Sequence, residues 1–224
     1  MNKNHQAIVV TEDGSDTVFC VRTGEHYHSV HGAIQESMHV FIEAGLRHIG
    51  ISEEIRILEV GFGTGLNCLL SLAEIAEIRR DVVYYALEPF PLDESVSVEL
   101  NYCRFPNLNK YEDEFRGMHR FTEGTSAITS FFQLTRIPFR LEDAGLLPDY
   151  FNLVYFDAFS ADVQPELWLP EIFKKIRSGM KTGGVLVTYA AKGSVRRALQ
   201  ESGFLTERLP GPPGKREMLR ATAV

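Results

Sequence analysis

A short run of glycines, Gly61-Phe-Gly-Thr-Gly65, restricts the possible folds of this chain more than any other feature. An apolar segment at residues 55–60 precedes it, and residues 66–79 follow with apolar side chains at helical spacing. A strand, a glycine turn and a helix in this order predict the opening of a nucleotide-binding βαβ unit. The loop departs from the dinucleotide pattern G-x-G-x-x-G, because its sixth position is Leu66 and the third glycine comes one place early.

Further apolar segments alternate with helical patterns along the rest of the chain, which predicts a mostly parallel, doubly wound sheet. The turn Pro210-Gly-Pro-Pro-Gly214 predicts that the last two strands pair antiparallel. An open parallel sheet with such a closing hairpin resembles the Rossmann-like class I S-adenosylmethionine-dependent methyltransferase fold rather than the dinucleotide dehydrogenases. Strands are predicted at residues 82–87, 118–122 (weakly), 151–156, 184–189, 204–209 and 216–222, and helices from Asp93 and at 165–178 and 194–202.

Residues 1–50 are predicted to form an appendage to a methyltransferase domain of residues 51–224. Two β-like segments, 7–11 and 17–23, flank Asp-Gly turn chemistry and predict a hairpin. Residues 33–48 place apolar side chains at helical spacing, with Gly50 as the expected stop. At roughly 100–200 residues per domain, 224 residues suit one domain with such an appendage.

Two acidic residues follow predicted strands at the edge of the sheet where ligands of open α/β folds bind. Glu88 comes twenty-three positions after Gly65, and a carboxylate there can accept hydrogen bonds from both hydroxyls of a ribose. Asp157 follows the strand at 151–156. The alternatives are a solvated glutamate and a strand-end cap.

Methyl transfer from a sulfonium is a direct displacement, so the acceptor needs an aligned lone pair. Asp157 is therefore expected to orient a nitrogen acceptor and to take its proton. A carboxylate also stabilises the charged amine, whose ordinary pKa is near ~10.4, so Asp157 is not expected to lower the amine pKa. Desolvation by Phe159, Trp168 and Tyr189 would act in the opposite direction.

Methyltransferases of this fold commonly hold the adenine amino group with an acidic residue after the third strand. Gly124-Thr125-Ser126 is interpreted as that place, so Thr125 stands where an aspartate is expected. Glu123 and main-chain atoms are the alternative adenine contacts.

The net charge of −7 is unevenly distributed. From Lys174 to Val224 there are eleven Lys and Arg against three Asp and Glu, a net charge of +8. This excess predicts contact with an anionic partner such as RNA, the alternative being a solvated helix face. Phe159 or Trp168 would stack on an extruded base, and His26, His28, His31 and Glu36 either border the site or form a polar surface loop. The candidate RNA-binding residues are Lys192, Arg196, Arg197, Lys215, Arg216 and Arg220.

Some functional classes are disfavoured. No apolar run approaches the roughly 18 residues of a membrane helix, and the N-terminus lacks an apolar signal region, so a cytoplasmic protein without a membrane partner is expected. Cys20, Cys68 and Cys103 form no CxxC pair, which disfavours a disulfide framework or a cysteine-based metal site. No metal is expected.

Several segments together resemble the methyltransferase domain of the tRNA 5-methylaminomethyl-2-thiouridine biosynthesis proteins, from about Tyr27 to Leu219. The resemblance implies S-adenosylmethionine-dependent methylation of the 5-aminomethyl group on the wobble uridine of certain tRNAs. The segments are Val60-Gly-Phe-Gly-Thr-Gly-Leu-Asn67, Glu88-Pro-Phe-Pro-Leu92, Asp157-Ala-Phe-Ser160, Pro165-Glu-Leu-Trp168, Thr188-Tyr-Ala-Ala-Lys-Gly-Ser-Val-Arg-Arg-Ala-Leu-Gln-Glu-Ser-Gly-Phe204 and Gly214-Lys-Arg-Glu-Met-Leu219.

The resemblance also implies roles for individual residues. By matching position, Gly61, Gly63, Gly65 and Glu88, with Asp157 beside them, would hold the cofactor, and Asp157 would be the catalytic residue that meets the amine. In some bacteria the domain is fused to a flavin-dependent oxidase. A chain of 224 residues has no room for that oxidase, so the stand-alone form without FAD is expected.

Two other functions stay open on sequence grounds. A polyamine-pathway aminopropyltransferase, or a methyltransferase acting on a small amine, has a similar sheet and an aspartate near the same place. A catalytically silent RNA-binding module would keep the fold without the reaction. Transfer to tRNA separates these alternatives from the favoured function.

Overall fold

Two β-sheets organise the chain in the computed structural model, which describes residues 6–49 and 54–224. The smaller sheet is antiparallel and contains β1 (Gln6–Val10), β2 (Asp16–Cys20) and β3 (Glu25–His26). The predicted N-terminal hairpin is thus present and gains a third short strand. The larger sheet contains β4 (Ile55–Val60), β5 (Val82–Leu87), β6 (Gly124–Ala127), β7 (Phe132–Ile137), β8 (Phe151–Phe156), β9 (Met180–Thr188), β10 (Phe204–Pro210) and β11 (Glu217–Ala223).

The eight strands lie in the order β10-β11-β9-β8-β4-β5-β7-β6. Pairing is parallel from β9 through β8, β4 and β5 to β7, and antiparallel at both edges. The predicted mostly parallel sheet with a closing antiparallel hairpin is therefore confirmed. The chain proceeds from β4 to one side and then returns to place β8 on the other, so a topological switch point lies between β4 and β8. Ligands of open α/β sheets bind in the crevice at such a point.

Helices connect these strands, and some differ from their predicted extents. The predicted helix at 165–178 is divided at Leu169, whose extended backbone (φ −85°, ψ 154°) precedes Pro170. A residue before proline avoids helical conformation, which explains the break. The helices are α1 (Ala33–Ser37) with a π-helical continuation (Met38–Leu46), α2 (Leu66–Ala76), α3 (Glu94–Ser97), α4 (Glu112–His119), α5 (Pro170–Gly179) and α6 (Gly193–Glu201), with 3₁₀ turns at Tyr102–Arg104, Asn109–Tyr111 and Pro165–Trp168.

The weak strand predicted at residues 118–122 is wrong. Met118 lies in α4, which buries Phe115 and Met118 on one face, three residues apart. Acidic residues fill its first turn and Arg116 lies in its last turn, which suits the helix dipole. The third parallel strand is instead β7, where apolar and polar residues alternate but the third inward-facing position is Arg136. A buried arginine hid this strand from the apolar pattern.

The N-terminal helical segment packs on the main sheet. Phe41 is buried with its ring centroid 5.2 Å from that of Tyr155, and both belong to one hydrophobic cluster with Leu66 of α2. The boundary predicted at residue 50 lies outside the described residues and stays a prediction. Cys20, Cys68 and Cys103 are free thiols. Within residues 6–49 and 54–224, the helices are too short or too polar to cross a membrane.

Candidate active site

The glycine loop runs directly against the end of the neighbouring strand. Gly61 has φ 91°, and a Cβ at this position would lie 2.6 Å from the main-chain oxygen of Asp157. Gly63 has φ 51°, and its Cβ would lie 2.7 Å from Cδ1 of Tyr27. Since both positions combine a left-handed backbone with a close approach, only glycine fits without rearrangement. The loop therefore brings β4, β8 and the N-terminal segment together around one space.

The carboxylate of Glu88 is fixed beside this loop. It is 9% exposed, its Oε2 accepts a hydrogen bond from the Gly63 N–H (3.0 Å), and its Oε1 accepts one from the Phe90 N–H (2.8 Å). An ionised carboxylate offers about four acceptor positions, so acceptor capacity remains on both oxygens. Glu88 can thus accept hydrogen bonds from two adjacent hydroxyl groups of a ligand.

Asp157 is held on the other side of the loop by an amide that sequence reasoning missed. Asn67 Nδ2 donates hydrogen bonds to Oδ2 of Asp157 (2.8 Å) and to Oε1 of the fully buried Glu59 (3.0 Å). Burial is the largest cause that raises the pKa of Asp157 to about 7; Glu36 raises this pKa further, and the Asn67 hydrogen bond and Lys215 oppose it. Burial, followed by the charge of Asp157, raises the pKa of Glu59 well above its usual range.

A carboxyl group with a pKa near neutrality is suited to accept a proton during a reaction. The signal for Asn67 was available in the sequence, because it is the second residue of the helix that follows the glycine loop. Its partner role was not visible, because it depends on β8 lying next to β4.

A cavity of about 500 Å³ opens at this edge of the sheet, within the ordinary range of small-molecule sites. Of the residues predicted to bind the cofactor, the acceptor amine or RNA, those that line the cavity are Gly61, Gly63, Glu88, Asp157, Phe159 and Lys215. Gly65 does not line the cavity. It directly precedes α2, and a Cβ at this position would lie 2.9 Å from both Phe62 Cζ and His119 Nε2. Other lining residues that matter below are Glu25, Tyr27, His28, Glu36, Phe90, Glu142 and Tyr189.

One end of the cavity, which we call the acceptor end, is formed by Asp157, Glu36, Tyr189 and Lys215. Glu36 of α1 accepts a hydrogen bond from the Lys215 ammonium, and Lys215 Nζ lies 3.9 Å from the centroid of the Tyr189 ring. The Tyr189 hydroxyl donates to the main-chain oxygen of Ala158 (2.9 Å). A second group of lining residues, which we call the cofactor end, consists of the glycine loop, Glu88, Phe90 and Glu142.

Comparison with known proteins identifies the family. The family described as S-adenosyl-L-methionine-dependent methyltransferase matches residues 108–224. The chain belongs to this family. The predicted family, fold and cofactor are confirmed, and aminopropyl transfer is not the reaction of this family.

Two curated relatives and one solved structure resemble this methyltransferase over most of its length. The tRNA 5-methylaminomethyl-2-thiouridine biosynthesis bifunctional protein MnmC of Nitrosospira multiformis is 30% identical over 216 residues, 91% of this chain and 35% of the relative. The protein of the same name from Burkholderia thailandensis is 31% identical over 234 residues, 95% of this chain and 34% of the relative. The crystal structure of MnmC2 from Aquifex aeolicus has a TM-score of 0.79 at 27% identity, covering 100% of this chain and 71% of that one. The methyltransferase spans about a third of the length of the curated relatives it matches.

The residues present fit S-adenosylmethionine. The ligand's ribose hydroxyls and amino group are donors, and the cofactor end supplies acceptors, because both oxygens of Glu88 keep capacity after binding Gly63 and Phe90. When bound, the cofactor supplies a methyl group on a positively charged sulfur. Gly61, Gly63 and Glu88 are the residues that would hold it in this cavity.

The predicted place of the adenine contact is wrong. Thr125 lies on the edge strand β6, is exposed, and hydrogen-bonds with Thr135 Oγ1 (2.9 Å), while Glu123 is also exposed; neither lines the cavity. The third parallel strand is β7, and the segment after it lines the cavity through residues 139–142. Glu142 is therefore the acidic side chain at this position. The error follows from the missed strand, since a wrong strand assignment shifts the loop that follows it.

Ion pairs engage several of the predicted RNA-binding residues. Lys192 lies 2.5 Å from Asp162, Arg220 lies 3.1 Å from Glu207, and Lys215 is bound to Glu36. Arg196 is half-buried, whereas Arg197 and Arg216 are exposed. The exposed basic surface is thus smaller than the net charge of residues 174–224 predicts, because Lys192, Lys215 and Arg220 form ion pairs with neighbouring carboxylates.

Of the aromatic and histidine candidates, some line the cavity and others lie outside it. Trp168 is 5% exposed, and its indole N–H donates to the Phe159 main-chain oxygen (2.9 Å), so stacking of Trp168 on a base is excluded. Phe159 lines the cavity against Tyr27, with ring centroids 5.1 Å apart. His31 lies outside the cavity lining and pairs with Glu12 (3.0 Å). His26, His28 and Glu36 line the cavity, so they border the site as one of the two alternatives predicted.

Proposed function

We propose that this methyltransferase N-methylates the 5-aminomethyl group of the wobble uridine, with or without 2-thiolation, in tRNA. One observation carries the proposal: a single cavity joins the Glu88 carboxylate to the Asp157 carboxylate across the glycine loop. The names of the MnmC relatives, which match over about nine-tenths of this chain, support the choice of substrate. The match to MnmC2 supports it further.

The residues at the acceptor end suit a nitrogen nucleophile. The amine nitrogen uses its lone pair to form the new N–C bond while the S–C bond breaks and its electron pair stays on sulfur. The nitrogen then carries one proton too many, and Asp157 is positioned to accept it and pass it to solvent. Asn67 holds Oδ2 of Asp157, and no residue in the described part of the chain donates a hydrogen bond to Oδ1, which can act as the acceptor. Phe159 and Tyr27 form an aromatic wall against which a base can stack.

The surface that would bind the tRNA backbone is proposed from the cations that stay exposed. Arg197 on α6 and Arg216 beside the closing hairpin are exposed, and Arg196 lies half-buried on α6. Arginine binds phosphate through several N–H donors at once. Because tRNA is the proposed substrate, we propose that the protein acts in the cytoplasm.

A small amine as the substrate is favoured by one observation, the three carboxylates near the acceptor end. Two of them already have partners. Glu25 accepts hydrogen bonds from the Ser160 N–H and hydroxyl, and Glu36 forms an ion pair with Lys215. Among the described residues, Asp157 accepts one side-chain hydrogen bond, from Asn67, and forms no ion pair. It is therefore the carboxylate at this end that can pair with an amino group of the substrate. A single carboxylate fits one amino group better than a polyamine.

Transfer from labelled S-adenosylmethionine to tRNA carrying 5-aminomethyluridine, followed by nucleoside mass spectrometry, tests the proposal. The expected result is a mass gain of one methyl group on that nucleoside, and the matched control is the Asp157→Ala variant, in which the initial rate of this gain is strongly reduced. Cofactor binding without transfer to tRNA, together with transfer to a small amine, would replace this function with the second candidate.

A further inference from the structure

Glu36 and Lys215 form a mostly buried ion pair at the acceptor end. Glu36 is 5% exposed, and its Oε2 accepts a hydrogen bond from the Ser29 N–H (2.7 Å), while Oε1 accepts from the Lys215 ammonium. The Lys215 side chain is 32% exposed and lies over the Tyr189 ring. The ammonium therefore has a carboxylate and an aromatic face as partners, an arrangement that fixes its position.

The pair joins parts of the chain that are far apart in sequence. Glu36 belongs to α1, Lys215 to the turn between β10 and β11, and Tyr189 follows β9. The Tyr189 hydroxyl is anchored on the main chain of Ala158, the neighbour of Asp157. Both charges act on Asp157, since Glu36 raises its pKa and Lys215 lowers it. The ion pair is thus within electrostatic range of the carboxyl that meets the substrate.

The proposed reaction requires an uncharged amine, because a protonated nitrogen has no lone pair. Every nearby carboxylate stabilises the ammonium form, and every nearby cation destabilises it. Asp157 is needed as the proton acceptor, so its effect on the amine cannot be avoided. An unpaired Glu36 would add a second negative charge and retain the proton more strongly.

Resting on the proposed function, we propose that Lys215 neutralises Glu36, so that the bound acceptor amine faces one negative charge fewer and releases its proton at lower pH. Lys215 and Glu36 are positioning residues in this proposal, since they act through the electrostatic field and form no bond to the reacting atoms. Three other titratable groups lie at this end and are the same in every variant tested. Glu25 is a further carboxylate, hydrogen-bonded to the neutral Ser160. Burial lowers the pKa of His28 to about 4 and raises the pKa of Tyr189.

The test is the pH dependence of kcat at saturating tRNA and cofactor, because kcat reports the groups that titrate in the bound complex. In Lys215→Met the ascending limb is expected to move to higher pH by about one unit, and in Glu36→Gln to lower pH by about one unit. The double variant restores charge balance and is expected to lie near the wild type. The apparent pKa of the ascending limb reflects Asp157 and the amine together, and each substitution is expected to shift the pKa of both groups in the same direction.

A second measurement uses the cofactor-free protein and does not depend on turnover. The carboxyl carbon of Asp157, followed by NMR, is expected to titrate at higher pH in Lys215→Met and at lower pH in Glu36→Gln. The matched control is Arg208→Met, which removes a cation from the Arg208–Glu217 pair (3.3 Å) on the same hairpin outside the cavity, and both measurements should match the wild type.

The outcomes separate this proposal from the proposed function. If wild-type protein methylates tRNA but the limbs and Asp157 midpoints of both single variants coincide with the wild type, the charge-balance proposal is overturned. A merely structural role for the pair would lower kcat in both variants at every pH without opposite shifts, which also overturns it. If the wild type does not methylate tRNA, the proposed function fails, and the Asp157 titration still decides the charge balance.

Discussion

The cofactor end and the acceptor end of the cavity are built in different ways. The cofactor end is local in sequence, because its main residues follow consecutive parallel strands: the glycine loop follows β4 and Glu88 follows β5. The acceptor end gathers Glu36, Tyr189 and Lys215 from three remote elements around Asp157. The parallel sheet itself thus determines where the glycine loop and Glu88 meet, whereas the acceptor end depends on the N-terminal segment and the closing hairpin.

Replacing Asp157 should have the largest effect and should be confined to the acceptor end. Asp157→Ala removes the proton acceptor, and we expect kcat to fall by about 10²–10⁴-fold, the usual contribution of general base catalysis. Cofactor affinity should be largely retained, because Glu88 and the glycine loop are untouched and Asn67 keeps its hydrogen bond to Glu59. Single-turnover kinetics and calorimetric titration with S-adenosylmethionine measure the two quantities. Near-normal turnover would show that the role assigned to Asp157 is wrong.

Glu88→Ala should produce the reverse pattern at the cofactor end. Hydrogen bonds to a charged group are worth about 1.5–3 kcal/mol each, so losing one ribose contact should raise the cofactor Kd by at least about 10-fold, and losing both should raise it by about 100-fold or more. Binding of tRNA should be unchanged. Calorimetry with cofactor and a filter-binding assay with tRNA check the two halves.

The matched variant for this test is Glu142→Ala, which removes another cofactor-end carboxylate. Within residues 6–49 and 54–224, no main-chain N–H donates a hydrogen bond to the Glu142 side chain. We expect a smaller rise in Kd. An equal loss of cofactor and tRNA affinity in Glu88→Ala would mean that the two ends are not independent.

The same contrast explains how much of the site was predictable. The sequence predicts that the glycine loop, Glu88 and Asp157 lie at one edge of the sheet, because each follows a short apolar strand and strand ends on one edge of a parallel sheet converge. It does not predict the Asn67 bridge or the Glu36–Lys215 pair, because such contacts depend on which strands are neighbours and on how a hairpin folds over the sheet. Thr125 was misplaced because Arg136 interrupts the apolar pattern of β7, where its guanidinium lies 3.7 Å from the Phe62 ring centroid.

The basic surface provides a test at intermediate scale. Arg197→Glu with Arg216→Glu should weaken tRNA binding and flatten its salt dependence by roughly 0.7–0.9 in slope for each phosphate that the protein no longer neutralises. Lys192→Glu is the control, because Lys192 is already paired with Asp162 and should change the slope less. Binding isotherms at several salt concentrations measure the slope. An unchanged slope in the double variant would remove Arg197 and Arg216 from the RNA surface.

The smallest effect at neutral pH concerns Thr64 of the glycine loop, which two buried histidines contact. His28 Nε2 hydrogen-bonds with Thr64 Oγ1 (2.7 Å) and His119 Nε2 with the Thr64 main-chain oxygen (3.1 Å). Burial lowers the pKa of both histidines to about 4, from 6.5 in an unfolded chain. Between these values the unfolded state binds protons that the native state does not, so the free energy of unfolding should fall as the pH drops from about 6.5 to 4.

Each histidine contributes a slope of at most about 1.4 kcal/mol per pH unit, and nothing above about pH 7.5. His28→Gln keeps a polar side chain near Thr64 and should remove one histidine's share of the slope, as should His119→Gln on the opposite side of the loop. His31→Gln, which removes an exposed histidine outside the cavity, is the comparison variant. Urea unfolding at about pH 4.5, 5.5, 6.5 and 7.5 measures this. If only His28→Gln flattens the curve, the acid-sensitive contact belongs to the N-terminal segment and hence to the acceptor end. If His28→Gln and His119→Gln reduce the pH dependence of the free energy of unfolding equally, acid destabilises the protein through the glycine loop, which both histidines contact.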